Sequence, residues 1–215
     1  MKVKNFIVKI RIIQMMTNNS IILKEAIKPL LISLIVALIS FILISKTIGF
    51  IVIFITVFIA YIYRTTSLDP KRDDSEILSI SDGTIDAIDY ESEDILVYIN
   101  VSILNSHTLR APIDANMKVI KYSNGLNLNP NSLKATKLNE SVSISFDDLK
   151  VDLLSGICNN SIKIENNSVI KGDAISTFIN GIIKIKLNRK NIKLNINLGD
   201  KVVAGKTVIA FINQG

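Results

Sequence analysis

The chain has 215 residues, a formal net charge of +6, no tryptophan and one cysteine. That length allows one compact domain plus a hydrophobic segment, and the lone Cys158 excludes an internal disulfide or a thiolate metal cluster. The basic balance, with a pI near 9.3, suits an anionic lipid surface or nucleic acid, but scarce aromatics leave no platform for stacked bases, so nucleic acid is not an expected partner.

Residues 1–28 form a basic N-terminal segment carrying Lys2, Lys4, Lys9, Arg11, Lys24 and Lys28. Charges interrupt its apolar residues and no small-residue cleavage site follows, unlike a signal peptide. It reads as a basic amphipathic stretch lying on a membrane, or as a plain flexible head.

Residues 29–63 hold the apolar content behind a mean hydropathy of +0.39. Pro29–Ser45 is uncharged, Lys46-Thr47-Ile48-Gly49 interrupts, and Phe50–Tyr63 is uncharged again. A helix that is apolar all round needs a large protein or a bilayer about it. Each half rises roughly 25 Å at ~1.5 Å per residue, slightly short of a ~30 Å hydrocarbon core. The expectation is an N-terminal transmembrane helical hairpin, with a re-entrant wedge as the other reading. Lys46 would snorkel from the tip, and Tyr61 and Tyr63 would sit at the interface. Positive flanks put both ends in the cytoplasm.

Residues 64–215 change character. Short β-branched runs cover Ile77–Ile80, Ile85–Ile88, Ile95–Ile103, Val142–Phe146, Ile157–Ile164, Ile179–Leu187 and Val202–Ile212. Turn signals stand at Asp82-Gly83, Asn124-Gly125, Lys171-Gly172-Asp173 and Gly199-Asp200. Period-two alternation at the end of Ile182–Leu187 predicts a half-buried strand. The fold class is therefore mostly β: the hairpin, then a cytoplasmic β-rich barrel or sandwich.

His107 is the sole histidine, and Asp82 lies in Ser81-Asp82-Gly83. A histidine with an aspartate partner can activate a hydroxyl, although one histidine alone is more often structural. There is no phosphate-binding loop, dinucleotide fingerprint or metal-ligand spacing, so no metal is expected.

In chain order the features are the hydrophobic hairpin, Tyr63-Arg64 with Asp69-Pro70-Lys71-Arg72, Ser81-Asp82-Gly83, the block from Leu104 to Pro112 containing His-x-x-Arg-x-Pro, Asn139-Glu140, and a glycine-punctuated β tail. Together they resemble the short bacterial class of phosphatidylserine decarboxylases, from about residue 29 to the C-terminus. The His107-to-Pro112 block is the most specific part.

The resemblance implies an enzyme of the inner membrane of a bacterium, facing the cytoplasm, that converts phosphatidylserine to phosphatidylethanolamine. In that family a serine after a glycine attacks the preceding carbonyl. The chain splits, and the serine becomes a pyruvoyl group that serves as electron sink while carbon dioxide leaves. Asp82 and His107 would assist, and Arg110 would contact substrate. At the cleavage position, however, stands Ile182 after Gly181, or Gly181 itself if one residue is deleted, and neither can become a pyruvoyl group. Ser176 and Thr177 are hydroxyls placed too early. The family's Ala-Arg-Arg stretch is replaced near Cys158-Asn159-Asn160.

The tail from Asn197 to Ala210 also resembles the closing half of a lipoyl carrier domain. No carrier lysine matches, since Met117-Lys118-Val119 has the wrong neighbours, and the stretch reads as structural glycine turns. Three functions follow: a decarboxylase with a displaced cleavage site, an inactive relative binding phospholipid or a paralogous partner enzyme, or a transport adaptor. A homo-oligomer is a further possibility.

Overall fold

A computed structural model describes residues 24–43, 45–62, 64, 73–157, 159 and 161–212. Tyr63, Asp69–Arg72, Cys158 and most of the basic N-terminal segment lie outside the described residues. The chain divides between Ser67 and Leu68 into two units.

The first unit is a helical pair, α1 (Lys24–Leu43) and α2 (Lys46–Ile62). Ser45 begins α2 by accepting from the Thr47 N–H on its hydroxyl at 3.2 Å, as an N-cap does. The seam between the helices is made of small and polar groups. Ala37 and Ser40 are buried, the Ser33 and Thr56 hydroxyls meet at 2.5 Å, and Phe41 packs edge-on against Phe50 at 5.7 Å. The large apolar residues face outward, with Ile42 and Phe54 about three-quarters exposed.

The transmembrane hairpin is nevertheless overturned, because among the described residues no helix is long and apolar enough to cross a membrane. The physical reason is length. The 17 residues of α2 rise ~25 Å against a ~30 Å core, and in α1 the uncharged run begins only at Pro29.

The second unit is β-rich. Strands β1 (Glu76–Leu78), β2 (Gly83–Tyr90), β3 (Asp94–Val101), β4 (Thr108–Arg110) and β5 (Ala115–Ser123) precede a short helix α3 (Ala135–Leu138). Then come β6 (Ser141–Phe146), β7 (Leu149–Ser155), β8 (Asn167–Val169), β9 (Ala174–Thr177), β10 (Gly181–Asn188), β11 (Ile192–Leu194), β12 (Lys201–Val202) and β13 (Val208–Ile212). Eight of them form one sheet in the order β12-β2-β3-β10-β7-β6-β5-β8. Three more pair as β1-β13-β11, and β4 pairs with β9. The large sheet ends at β12 and β8 without closing into a barrel.

Alternation decides which side chains are inside. Along β10, Ile183, Ile185 and Leu187 are buried, while Ile182, Lys184 and Lys186 take the other face. On that outer face Lys184 pairs with Asp152 at 2.8 Å and Lys186 with Asp94 at 2.6 Å. The inner face joins Ile85, Ile99, Val151 and Leu153, with Leu109 of β4 and Ile209 of β13, into one core.

Two expected runs differ from what forms. The described residues of Ile157–Ile164 make no strand, because side chains take up backbone groups there: Ile162 N–H donates to Glu140 and Asn159 C=O accepts from Asn127. Val202–Ile212 is broken by a turn in which Gly205 has φ 66°, so it supplies β12 to one sheet and β13 to another.

The alternation makes neighbouring substitutions unequal. Ile183→Ala should cost ~2–5 kcal/mol by leaving a core cavity, whereas Ile182→Ala should cost at most ~1 kcal/mol. Denaturant midpoints of the two variants measure the difference; equal losses would show that the strand register is wrong.

Candidate functional site

Asp82 lies between β1 and β2 and is almost fully buried. Its Oδ1 accepts from the Ala204 N–H at 2.8 Å and its Oδ2 from the Ser106 N–H at 3.3 Å. One carboxylate thus joins the turn before β4 to the turn after β12. His107, next to Ser106, is also buried. Its Nε2 lies 2.9 Å from the Ile103 carbonyl. A carbonyl can only accept, so this contact assigns the proton to Nε2.

The His107 carbonyl accepts from Phe178 N–H at 2.8 Å, and β4 pairs with β9 so that Thr108 faces Thr177 and Leu109 faces Ser176. Arg110 is fully buried and donates from Nη1 to the Gly172 carbonyl at 2.8 Å. Burial lowers its guanidinium pKa from the ordinary value, opposed by the nearby charges of Asp82 and Asp173. The structure therefore brings Asp82, His107 and Arg110 into one frame with the 172–178 segment. The Arg110 guanidinium points into that frame and is not displayed at a surface.

The segment after β9 leads into β10. Ser176 is half-buried and donates its hydroxyl to the Lys163 carbonyl at 2.8 Å. Phe178 is fully buried. The Asn180 carbonyl accepts two bonds, from Gly156 N–H at 2.9 Å and from Asn159 Nδ2 at 3.0 Å. Gly181 has φ 142°, and a Cβ there would lie 2.1 Å from the Leu154 carbonyl oxygen, so only glycine fits. Ile182 is already within the strand, opposite Asn100 of β3 and Leu154 of β7.

The sequence model of one protein family, phosphatidylserine decarboxylase, matches residues 55–210. The chain belongs to the phosphatidylserine decarboxylase family. It is similar to a phosphatidylserine decarboxylase proenzyme of Wolbachia pipientis, 27% identical over 89% of this chain and 91% of that one. It is also similar to a protein of Methanosarcina acetivorans provisionally named archaetidylserine decarboxylase proenzyme, 27% identical over 74% of this chain and 78% of the other.

Phosphatidylserine decarboxylases depend on a pyruvoyl group made from their own serine. The residues here do not fit that group. Ile182 has no hydroxyl to attack a carbonyl and no heteroatom to eliminate, and its backbone is paired on both sides. Ser176 sits in a different sheet with its hydroxyl engaged. Among the described residues no cluster of three His, Cys, Asp or Glu side chains could hold a metal ion.

Sequence reasoning placed Asn139-Glu140 in the family pattern but missed what surrounds the pair. Asn139 spans two segments, donating to the Leu128 and Ser155 carbonyls at 2.8 and 2.6 Å. Glu140 Oε1 accepts from the Tyr122 hydroxyl at 2.6 Å and from Ile162 N–H at 3.0 Å. Tyr122, Val142, Ile162 and Ile164 line an open groove of about 490 Å³. Neither Tyr122 nor Ser161 carries a sequence signal, because both reach Glu140 only through the sheet.

Two outcomes test this geometry. Asp82→Ala should destabilise the domain by ~1–3 kcal/mol for each backbone N–H left without an acceptor, read from chemical denaturation; a neutral change would show that the two turns do not depend on it. The hydrogen bond to Glu140 raises the Tyr122 phenol above its ordinary pKa, against a smaller opposing effect of Ser161. A pH titration of phenolate absorbance should therefore lose a late-ionising step in Tyr122→Phe. Loss of an early step instead would contradict the contact.

Proposed function

We propose that this chain is a non-decarboxylating member of the family that binds anionic aminophospholipid at the cytoplasmic face of a bacterial inner membrane. What supports this reading is the expected cleavage position, Ile182, or Gly181 if one residue is deleted, neither of which carries a hydroxyl. A pyruvoyl group cannot arise from isoleucine or glycine, and the Ser176 hydroxyl upstream donates to Lys163 C=O. Without the ketone there is no electron sink for loss of carbon dioxide.

Binding, by contrast, needs only the frame and a surface. Asp82 fixes the turn preceding His107 by accepting from the Ser106 N–H. In this reading they shape a headgroup site and move no protons to or from a reacting carbon. The net charge of +6 favours an anionic leaflet. The outward apolar residues of α1 and α2 make a contiguous hydrophobic surface of the kind that marks an interaction site. That surface would seat the chain in one leaflet without crossing it.

Flotation with vesicles and a carbon dioxide assay test both halves. The full-length protein should float with phosphatidylcholine vesicles containing phosphatidylserine more than with phosphatidylcholine alone, and the excess should shrink as salt rises. Carboxyl-labelled phosphatidylserine should release no carbon dioxide. Release of label, with a C-terminal fragment blocked by pyruvoyl, would overturn the proposal in favour of a decarboxylase with a displaced cleavage site. Equal flotation with both vesicles would remove the lipid specificity.

A further inference from the structure

The bond preceding Gly181 has an environment that the phospholipid reading does not use. The Asn180 main-chain oxygen accepts from two donors at 2.9 and 3.0 Å, Gly156 N–H and Asn159 Nδ2. The second donor is assigned by its own network: Asn159 Oδ1 accepts from Ile179 N–H at 2.8 Å, which leaves Nδ2 toward Asn180. Two donors at this distance polarise a carbonyl and are placed to hold the negative charge that an attack on its carbon would develop.

The group that would attack is the side-chain amide of Asn180, which packs against Gly156. A Cβ built on Gly156 would lie 2.9 to 3.1 Å from Oδ1, Nδ2 and Cγ of Asn180. The same Gly156 donates its N–H to the Asn180 main-chain oxygen. Gly156 thus lies against both the side-chain amide and the main-chain oxygen of Asn180, in room that a side chain at residue 156 would take. Asn180 Oδ1 is buried without a hydrogen-bond partner among the described residues, so that oxygen does not anchor the amide against turning Nδ2 to the carbon.

We propose that Asn180 is a self-cleavage site. Nδ2 attacks the Asn180 carbonyl carbon, and the new C–N bond closes a succinimide. The bond from that carbon to the Gly181 nitrogen breaks, and a proton passes from Nδ2 to the departing nitrogen, which becomes the free amine of a Gly181–Gly215 fragment. Water later opens the succinimide to a C-terminal asparagine or its isomer. No oxidant, metal or pyruvoyl group takes part, and the step is independent of whether the chain binds lipid.

Purified full-length protein, incubated for days near neutral pH, should yield a fragment beginning at Gly181 that stepwise N-terminal sequencing can read. Asn180→Ala should abolish it. Asn159→Ala, which removes one of the two donors, should slow it by roughly 10²-fold, the usual effect of losing one such donor. Unfolding the wild-type chain in guanidinium should also slow cleavage, a comparison that stands even where a variant fails to fold. The proposal is overturned by a chain that stays whole, by deamidation without breakage, by cleavage as fast in the unfolded chain, or by the same fragment from Asn180→Ala.

Discussion

One carboxylate holds together three parts of the chain that are far apart in sequence. Asp82 accepts from Ser106 on one side and from Ala204, 122 residues away, on the other. Both donors are backbone groups in buried turns. Water cannot replace the carboxylate there, and an unpaired buried N–H costs about as much as a whole loop contact gains. Because Ser106 is fixed, His107 is fixed; because His107 is fixed, its carbonyl can receive Phe178 N–H. The entry to β10 is thus positioned from the start of β2.

That dependence rests on packing and hydrogen bonding and on no reacting group. In β10 the position after Gly181 faces outward and is flanked by strands on both sides. Isoleucine suits such a half-buried pleated position better than serine does, because a β-branched apolar side chain packs against its cross-strand neighbours. Nothing in the strand therefore selects for a hydroxyl. Gly181 is different, since the Leu154 carbonyl leaves no space for a side chain. Packing thus requires a glycine at 181 and makes no such demand on the side chain that follows it.

What could be read from the residues follows the same division. Val142–Phe146 and Ile182–Leu187 were legible as strands because each buries one face and the alternation has a period of two. The link between Asp82 and His107 was legible only as a resemblance: twenty-odd residues separate them, and no periodicity says that a turn brings them together. Ile157–Ile164 has strand composition but no free backbone ladder to join, since Glu140 and Asn127 claim its groups. The apolar run before Tyr63 was legible as two helices joined near Lys46, and its slight shortness against a hydrocarbon core, already visible in the count of residues, is what decides against a span. Asn159 and Tyr122 are single polar residues whose side chains reach Asn180 and Glu140, 21 and 18 positions away, beyond any local pattern.

The two ends of the large sheet have a consequence for company. An open sheet ordinarily offers its outermost strand as a template on which another chain can add its own. Here the outer strands are β12, with two residues, and β8, with three. A strand adding to β12 or β8 would gain a ladder of only two or three residues while losing the freedom of many more. The longer edges are the stretches that these short strands leave uncovered, Ala87–Tyr90 of β2 and Lys118–Ser123 of β5. On the faces, the Lys184–Asp152 and Lys186–Asp94 pairs set a pattern of alternating charge that a partner would have to match.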